Sequence, residues 1–413
     1  MVNFRSLFKQ LGPGLLYAGA AVGVSHLVQS TRAGAQFGFG LVWVIVIAHL
    51  VKYPFFLMGP LFAQHTGKSI LSGYKKSGNW TLWAFLILTA SSMFAVIAAI
   101  SVVTAGLAEN IFHLSLNIKT WTSLLILFCT LILLVGKYKL LDKAIKWVIL
   151  LLTMTTITAF VLSFGISEPV SENLQVFSWN NTLHILFLVA FIGWMPAPMD
   201  ISVWHSVWQV EKQKTLPKLD KKNTLDFNIG YIGTAVLAIL FLGLGAAAFY
   251  NSGRELAVGG IKFSEQLINL YSSLLGKGAF WVIAIAAFTT MFSTIITCLD
   301  AFPRVMAEAT QLLDQKARYF SKNAYVIYLI VLGFLSQLIV YQFMDNMKQL
   351  VDFATTVSFL TTPFLAWLNY KAIKLEMKNS ELKFSKLLVL WTKISLGLLF
   401  GFGIYYLIIL YQN

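Results

Sequence analysis

Charged residues are scarce in this sequence of 413 residues, where only 12% of positions are Asp, Glu, Lys or Arg. A soluble domain contains about 25% charged residues, so the composition excludes a chain that folds in water. Hydrophobic residues make up 58% of the sequence, and apolar runs long enough to cross a bilayer recur along it. These features indicate an integral membrane protein.

Cysteines are also few, because Cys129 and Cys298 are the only two and both lie inside apolar segments. This arrangement argues against a disulfide framework. The sequence lacks His-Glu-x-x-His, Gly-x-Ser-x-Gly and phosphate-cradling loops, so we predict that the protein is not an enzyme and has no cofactor. No linker marks a separate soluble domain, and residues 1–413 are predicted to form one transmembrane domain.

Long apolar segments predict an all-α polytopic fold, because a spanning helix needs about 20 apolar residues. The roughly eleven predicted spans are residues 12–38, 41–64, 81–108, 119–136, 144–166, 182–208, 228–250, 278–303, 323–343, 349–370 and 387–411.

Lys and Arg residues are distributed unevenly between the connecting segments. With the N-terminus in the cytoplasm, the inside segments hold 23 of them and the outside segments hold 5. Cytoplasmic segments of membrane proteins carry this excess, so we predict a bacterial inner membrane protein with its N-terminus inside and its C-terminus outside. The net charge of +14 then sets topology beside anionic lipid, and no nucleic acid partner is expected. The oligomeric state stays open.

Two of the predicted spans contain residues that interrupt a helix. The first contains Gly23-Val24-Ser25-His26, and the sixth contains Gly193 followed by Pro196 and Pro198. Proline clashes with the preceding helical turn, and glycine tolerates unwound backbone. Paired interruptions are typical of transporters built from inverted repeats, which bind substrate between them at mid-membrane; we predict repeats at about 12–166 and 180–372, with an extra helix at about 387–411.

Several short motifs along the chain resemble one transporter family. They are Gly12-Pro13-Gly14, Gly34-Ala35-Gln36-Phe37-Gly38, Thr66-Gly67-Lys68, Gly136-Lys137-Tyr138 and Met195-Pro196. In order and position these motifs are similar to those of the natural-resistance-associated macrophage protein (NRAMP) family of divalent metal transporters. The resemblance implies a leucine-transporter-like fold, with a five-plus-five inverted repeat, broken helices 1 and 6, and alternating access.

The residues that carry the family's function are replaced in this sequence. Its metal-binding Asp-Pro-Gly-Asn motif aligns with Gly23-Val24-Ser25-His26, and its Met-Pro-His motif aligns with Met195-Pro196-Ala197. The acidic pair that the family uses for proton transfer aligns near Ile97 and Ile100. The resemblance therefore implies a divergent member that lacks the anionic metal ligand, and proton coupling is not expected.

The predicted substrate site consists of Gly23, Ser25, His26, Arg32, Met195 and Asp200. His26, Met195 and Asp200 are candidate metal ligands, because imidazole and thioether suit ions softer than Mg²⁺. Asp200 lies about one helical turn beyond Met195. His205 is a candidate proton carrier.

Each of these residues also has a structural alternative. His26 could bond a carbonyl freed at the break, Met195 could fill the core, and Asp200 could neutralise Arg32. For His205 the alternative is a hydrogen bond between helices.

Other charged residues in the predicted spans have expected structural roles. Residues four apart on one helix face are expected to pair, and the long side chain of a lysine within a span can snorkel to the membrane interface. The residues concerned are Asp300, Arg304 and Glu308 on one face, Lys348 with Asp352 at the outer end of the tenth span, and Lys52 as the snorkelling lysine.

Three functions remain open at this point. The first is a secondary transporter of divalent metal ions with a rebuilt site, in which the ion is substrate and not cofactor. The second is the same fold carrying an anion or a small polar solute, held by Arg32 and half-helix N-termini. The third is a membrane sensor or scaffold that does not transport.

Overall fold

The computed structural model describes residues 12–135, 138–165, 174–215, 224–250, 256–257, 259–276, 278, 280–314, 318–342, 346–379 and 382–412. Within these ranges the chain is almost entirely helical and forms no strand. Gly136 and Lys137, which belong to one of the motifs above, lie outside the described residues.

The first predicted span is a broken helix. Helix α1 (Pro13–Ala21) is followed by a π-helical segment (Ser25–Ser30) that continues into α2 (Thr31–Phe37). A 3₁₀ turn, Gly38–Leu41, then leads into the long helix α3 (Val42–Thr66).

Most of the remaining helices overlap predicted spans. In chain order they are α4 (Ile70–Lys76), α5 (Asn79–Phe112), α6 (Ile118–Leu134), α7 (Tyr138–Ser163), α8 (Thr182–Gly193), α9 (Asp200–Thr215), α10 (Leu225–Gly245), α11 (Gly260–Leu275), α12 (Phe280–Leu313), α13 (Arg318–Gln342), α14 (Met347–Asn379) and α15 (Lys386–Gln412). The sixth predicted span is divided into α8 and α9, whereas α4 and α11 lie in segments predicted to connect spans. Among the described residues, 7 helices are long and apolar enough to cross a membrane by themselves, and the total of about eleven spans stays a prediction.

The halves of the two broken helices lie inside the bundle. Helix α1 packs against α9 and α10, and α9 packs against α3. Helix α8 approaches α14 so closely that a Cβ atom on Gly193 would lie 2.1 Å from the Thr355 carbonyl oxygen. Only glycine fits there, which fixes the end of α8 against α14. Helix α15 is peripheral, and its exposed apolar side chains, which include Leu390, Ile394 and Leu398, are available to contact lipid.

Candidate substrate site

The interruption of the first span occurs at the predicted glycine. Helix α1 ends at Ala21, and the Gly23 N–H donates to the Ala21 carbonyl oxygen at 2.9 Å instead of continuing the α-helical pattern. The Gly23 carbonyl oxygen then accepts the Leu27 N–H at 3.0 Å. The backbone turns at Val22 and Gly23, which confirms the predicted break.

His26 is fully buried beside this break and uses both ring nitrogens. Nε2 donates to the Thr234 carbonyl oxygen in α10 at 3.0 Å, and Nδ1 lies 2.7 Å from the Ser25 hydroxyl. The same hydroxyl lies 2.7 Å from the Ala21 carbonyl oxygen. In this arrangement His26 joins the break to α10, as in its structural alternative, and neither nitrogen has a lone pair directed at a ligand.

The interruption of the sixth span covers Trp194 to Met199, between α8 and α9. It contains Pro196 and Pro198, and the Met195–Pro196 peptide bond is cis. The indole N–H of Trp194 donates to the Ser358 hydroxyl in α14 at 2.8 Å. The gap between α8 and α9 confirms the second predicted break. The Trp194 hydrogen bond attaches this unwound segment to α14.

Met195 and Asp200 lie at opposite ends of this second break, in different surroundings. Met195 is fully buried in an apolar cluster that includes Phe187 and Leu242. Asp200 is the first residue of α9, and its Oδ1 accepts the Thr89 hydroxyl hydrogen at 2.9 Å. No hydrogen bond among the described residues joins His26, Met195 and Asp200, and their role as metal ligands stays a prediction.

Arg32 has a different partner from the one expected. Its guanidinium forms two hydrogen bonds with the Asp352 carboxylate in α14, at 2.6 and 3.1 Å, and a third with the Gln29 amide oxygen at 2.8 Å. The interpretation that Asp200 neutralises Arg32 is therefore wrong. The expected pairing of Lys348 with Asp352 is also wrong, because Arg32 occupies that carboxylate in bidentate fashion.

His205 of α9 packs among aromatic side chains of α1 and α10. Its ring centroid is 5.8 Å from that of Tyr17 and 5.8 Å from that of Phe227, and its Nδ1 atom is buried without a hydrogen-bond partner. The stack is a packing arrangement, and the proton-carrier role stays a prediction.

A small cavity lies between the two breaks, with a volume of about 20 Å³. It is bordered by both broken helices together with α5 and α12; the lining residues are Ala20, Ala21, Gly23, Val24, Ser25, Val96, Ile100, Trp194, Pro198, Ile201, Trp204, Thr294 and Cys298. Two predicted site residues, Gly23 and Ser25, border this cavity, whereas His26, Arg32, Met195 and Asp200 do not. None of its lining residues carries a formal charge.

Thr294 occupies the space next to Gly23 on the wall of the cavity. A Cβ atom on Gly23 would lie 2.9 Å from Thr294 Cγ2 and 3.1 Å from its Oγ1. The Thr294 hydroxyl can donate to two carbonyl oxygens, that of Thr290 in its own helix at 3.0 Å and that of Gly19 in α1 at 3.2 Å. The position at which the resembling family carries its anionic metal ligand is thus closed to any side chain while Thr294 keeps this conformation.

The expected pairing on α12 is confirmed in part. Arg304 donates to both carboxylate oxygens of Asp300, at 2.6 and 3.1 Å, and the Tyr325 hydroxyl donates to Asp300 at 2.8 Å. Glu308 instead accepts a hydrogen bond from the Ser69 hydroxyl. These groups form a network between helices.

Sequence reasoning missed Asp226, in the first turn of α10. Its carboxylate accepts the N–H groups of Gly12 at 3.0 Å and Gly14 at 2.9 Å, and it lies 3.8 Å from Lys212 Nζ in α9. The first N–H groups of a helix have no partner within the helix, and a carboxylate there also complements the helix dipole. Asp226 therefore ties the start of α1 to α9 and α10.

Lys52 was expected at an interface, and this prediction is wrong. The side chain is fully buried, and Nζ donates to the carbonyl oxygens of Ile192 at 2.7 Å and Gly193 at 3.1 Å. A lysine in the middle of an apolar span with no acidic residue nearby was the available signal. The partners of Lys52 are backbone carbonyl groups, and because every residue has one, the sequence cannot indicate which of them Lys52 contacts.

Comparison with known proteins decides the family. The sequence profile described as "Natural resistance-associated macrophage protein-like" matches residues 14–409. The chain belongs to the Nramp family. An uncharacterized protein of Pasteurella multocida is 36% identical over 375 residues, which cover 90% of this chain and 86% of that protein. The divalent metal cation transporter MntH of Staphylococcus saprophyticus is 25% identical, over 87% of this chain and 82% of that protein.

Solved structures confirm the predicted fold class. A mutant of the Eremococcus coleocola manganese transporter matches 99% of this chain and 96% of its own, with 16% identity and a TM-score of 0.62. MhsT in complex with L-phenylalanine matches 97% of each chain, with 16% identity and a TM-score of 0.64. The protein is an Nramp-family secondary transporter with the leucine-transporter-like fold, and Nramp is a family of membrane transporters, not of enzymes.

Proposed function

We propose that this Nramp-family protein carries a small polar solute without net positive charge, and that the solute binds at the cavity between the two helix breaks. The observation that carries the proposal is the cavity itself, which both broken helices border and which no charged residue lines. Unwound backbone at mid-membrane is tolerated where it lines such a cavity. At its present volume the cavity has room for about one water molecule, so the helices at the breaks would have to move apart before their polar groups could bind the solute.

Two closures on opposite sides of the cavity support alternating access. On the predicted outer side, Arg32 of α2 is bound to Asp352 of α14. On the predicted inner side, Asp226 of α10 holds the start of α1 and lies beside Lys212. Each closure joins half of a broken helix to a neighbouring helix, so that opening one of them would expose the cavity to one side only.

The side chains near the breaks include too few metal ligands for a divalent cation, which favours an uncharged solute. Such a cation needs ligands that offset its dehydration, and the position that would supply the family's carboxylate is Gly23, against Thr294. Within the described part of the chain, no three His, Cys, Asp or Glu residues are placed to hold a metal ion together. An anion is disfavoured as well, because the Arg32 guanidinium is occupied by Asp352.

Divalent metal transport is the second candidate, and one observation favours it. Met195 and Pro196 are kept at the second break, and matched relatives are named divalent metal cation transporters. A rearrangement that released His26 and Asp200 from their present partners would bring an imidazole, a thioether and a carboxylate to the site, which suits Mn²⁺ or Fe²⁺.

Transport assays in liposomes distinguish the two candidates. We expect Mn²⁺ uptake into liposomes with this protein to equal that of empty liposomes, while the Staphylococcus saprophyticus relative serves as the positive control. Small neutral solutes that raise the melting temperature are then tested for saturable uptake. Saturable Mn²⁺ uptake that is lost in His26→Ala and Asp200→Asn would overturn the proposal and establish the second candidate.

A further inference from the structure

Lys52 is the buried charge that the proposed site leaves unexplained. Its Nζ atom contacts two backbone carbonyl oxygens, those of Ile192 and Gly193, and its side chain has no solvent exposure. In the part of the chain that the structure describes, no carboxylate forms an ion pair with it. A charge inside a membrane protein is costly unless a partner compensates it, and such residues usually serve a function.

The two carbonyls belong to the last turn of α8, immediately before the second break. The last four carbonyl groups of a helix have no N–H partner within that helix, and together they carry a partial negative charge. The Ile192 carbonyl oxygen also accepts the backbone N–H groups of Trp194 and of Met195, the latter at 3.1 Å. Lipid supplies no donors, so a buried group that donates to the Gly193 carbonyl oxygen and adds positive charge at this helix end stabilises the break.

The opposite end of the break carries the opposite charge. Helix α9 starts at Asp200, whose carboxylate lies at the partially positive end of that helix and accepts the Thr89 hydroxyl hydrogen at 2.9 Å. A cation at the end of α8 and an anion at the start of α9 each complement a helix dipole. The protein therefore supplies both charges that an unwound segment needs.

We propose that the Lys52 ammonium is a tethered cation that holds the helix-six break open in place of a cation from solution. With the Ile192 and Gly193 carbonyls occupied, Lys52 is a positioning residue that also sets specificity against cations. The role in specificity rests on the proposed function. The stabilisation of the break by the Lys52 ammonium does not, because it is a property of the folded protein alone.

An apolar groove gives experimental access to Lys52. The groove has a volume of about 220 Å³ and is bordered by Lys52, Val51, Ile192, Phe359 and Leu399, from α3, α8, α14 and α15. Shortening Lys52 to alanine removes three methylene groups and the ammonium group. The missing atoms have the size and charge of n-propylammonium, which could enter through the groove.

The test is chemical rescue of the variant Lys52→Ala, measured as the melting temperature of the purified protein. We expect Lys52→Ala to melt several degrees below the wild type, and n-propylammonium to raise its melting temperature in a saturable manner. The neutral isostere 1-propanol should raise it much less. Lys262→Ala, which removes an exposed lysine of α11, is the control and should respond to neither compound.

A second variant keeps the test decisive if Lys52→Ala does not fold. Lys52→Met retains the apolar stem and loses the donors, so it should melt below the wild type and show no rescue, because methionine fills the space. Equal rescue of Lys52→Ala by 1-propanol, or a Lys52→Met variant as stable as the wild type, would overturn the proposal. Melting needs no substrate, so failure to find a transported solute leaves this result unaffected.

Discussion

At the residue scale, Thr294 occupies the space beside Gly23, where the resemblance places the family's first-helix carboxylate. Its methyl group lies against Gly23, and its hydroxyl lies within hydrogen-bond distance of the Gly19 carbonyl oxygen near the end of α1. A metal-binding carboxylate would have to displace both. A carboxylate introduced at position 23 would therefore also need a smaller residue at position 294.

The Gly23→Ala variant measures this steric constraint. We expect the added methyl group to destabilise the protein by about 1–3 kcal/mol, the usual cost of overpacking a close-packed core. Combining it with Thr294→Ser, which removes the clashing methyl group and keeps the hydroxyl, should recover most of the loss. Thermal unfolding in detergent measures both effects.

Gly233→Ala is the matched control for this prediction, because no atom lies within 4 Å of the Cβ position at that residue. It should leave the melting temperature unchanged or raise it slightly, since alanine favours a helix over glycine. If Gly23→Ala lowers the stability of the wild type and of the Thr294→Ser variant by the same amount, then a residue other than Thr294 restricts the space beside Gly23.

At the scale of helices, access to the cavity depends on the Arg32 to Asp352 closure. The Arg32 side chain is 5% exposed and that of Asp352 is 31% exposed, so the pair lies at the edge of the protein interior. Cys298 borders the cavity, and the second cysteine, Cys129, is buried on α6. In a Cys129→Ser background, the modification of Cys298 therefore reports how often the cavity opens.

Asp352→Asn should increase the rate at which a small maleimide modifies Cys298. A bidentate pair of this exposure contributes about 1 kcal/mol to the closed state, which corresponds to about a fivefold change in the open population. Glu376→Gln is the control, because it removes the Lys76 to Glu376 contact of 2.8 Å, which does not border the cavity. Unchanged modification in Asp352→Asn would mean that Arg32 does not close the outer side.

The positions of the breaks were predictable from the sequence, whereas their partners were not. Gly23, Pro196 and Pro198 interrupt a helix by local sterics, which act on neighbouring residues in the chain. The partner of Arg32 is 320 residues away and that of Lys52 is a pair of carbonyl groups. Such choices depend on how distant helices pack, and every residue carries a carbonyl, so no sequence signal distinguishes the ones that Lys52 contacts.

At the scale of the whole molecule, the distribution of positive charge predicts the orientation of every helix. The predicted inside segments hold 23 Lys and Arg residues and the outside segments hold 5. With the N-terminus in the cytoplasm, an odd number of spans places the C-terminal end of the last helix, α15, outside. Lys262, Lys378 and Tyr411 are exposed residues that test this arrangement, at α11, at the end of α14 and at the end of α15.

Single cysteines at these three positions, in a Cys129→Ser and Cys298→Ser background, locate each segment in intact cells. A membrane-impermeant maleimide should modify Lys262→Cys and Tyr411→Cys before lysis, and Lys378→Cys only after it. Because one helix separates Lys378 from Tyr411, equal labelling of these two before lysis would contradict a spanning α15. Labelling of Lys378→Cys alone would reverse the orientation, and Asp352 would then close the inner side of the cavity instead of the outer.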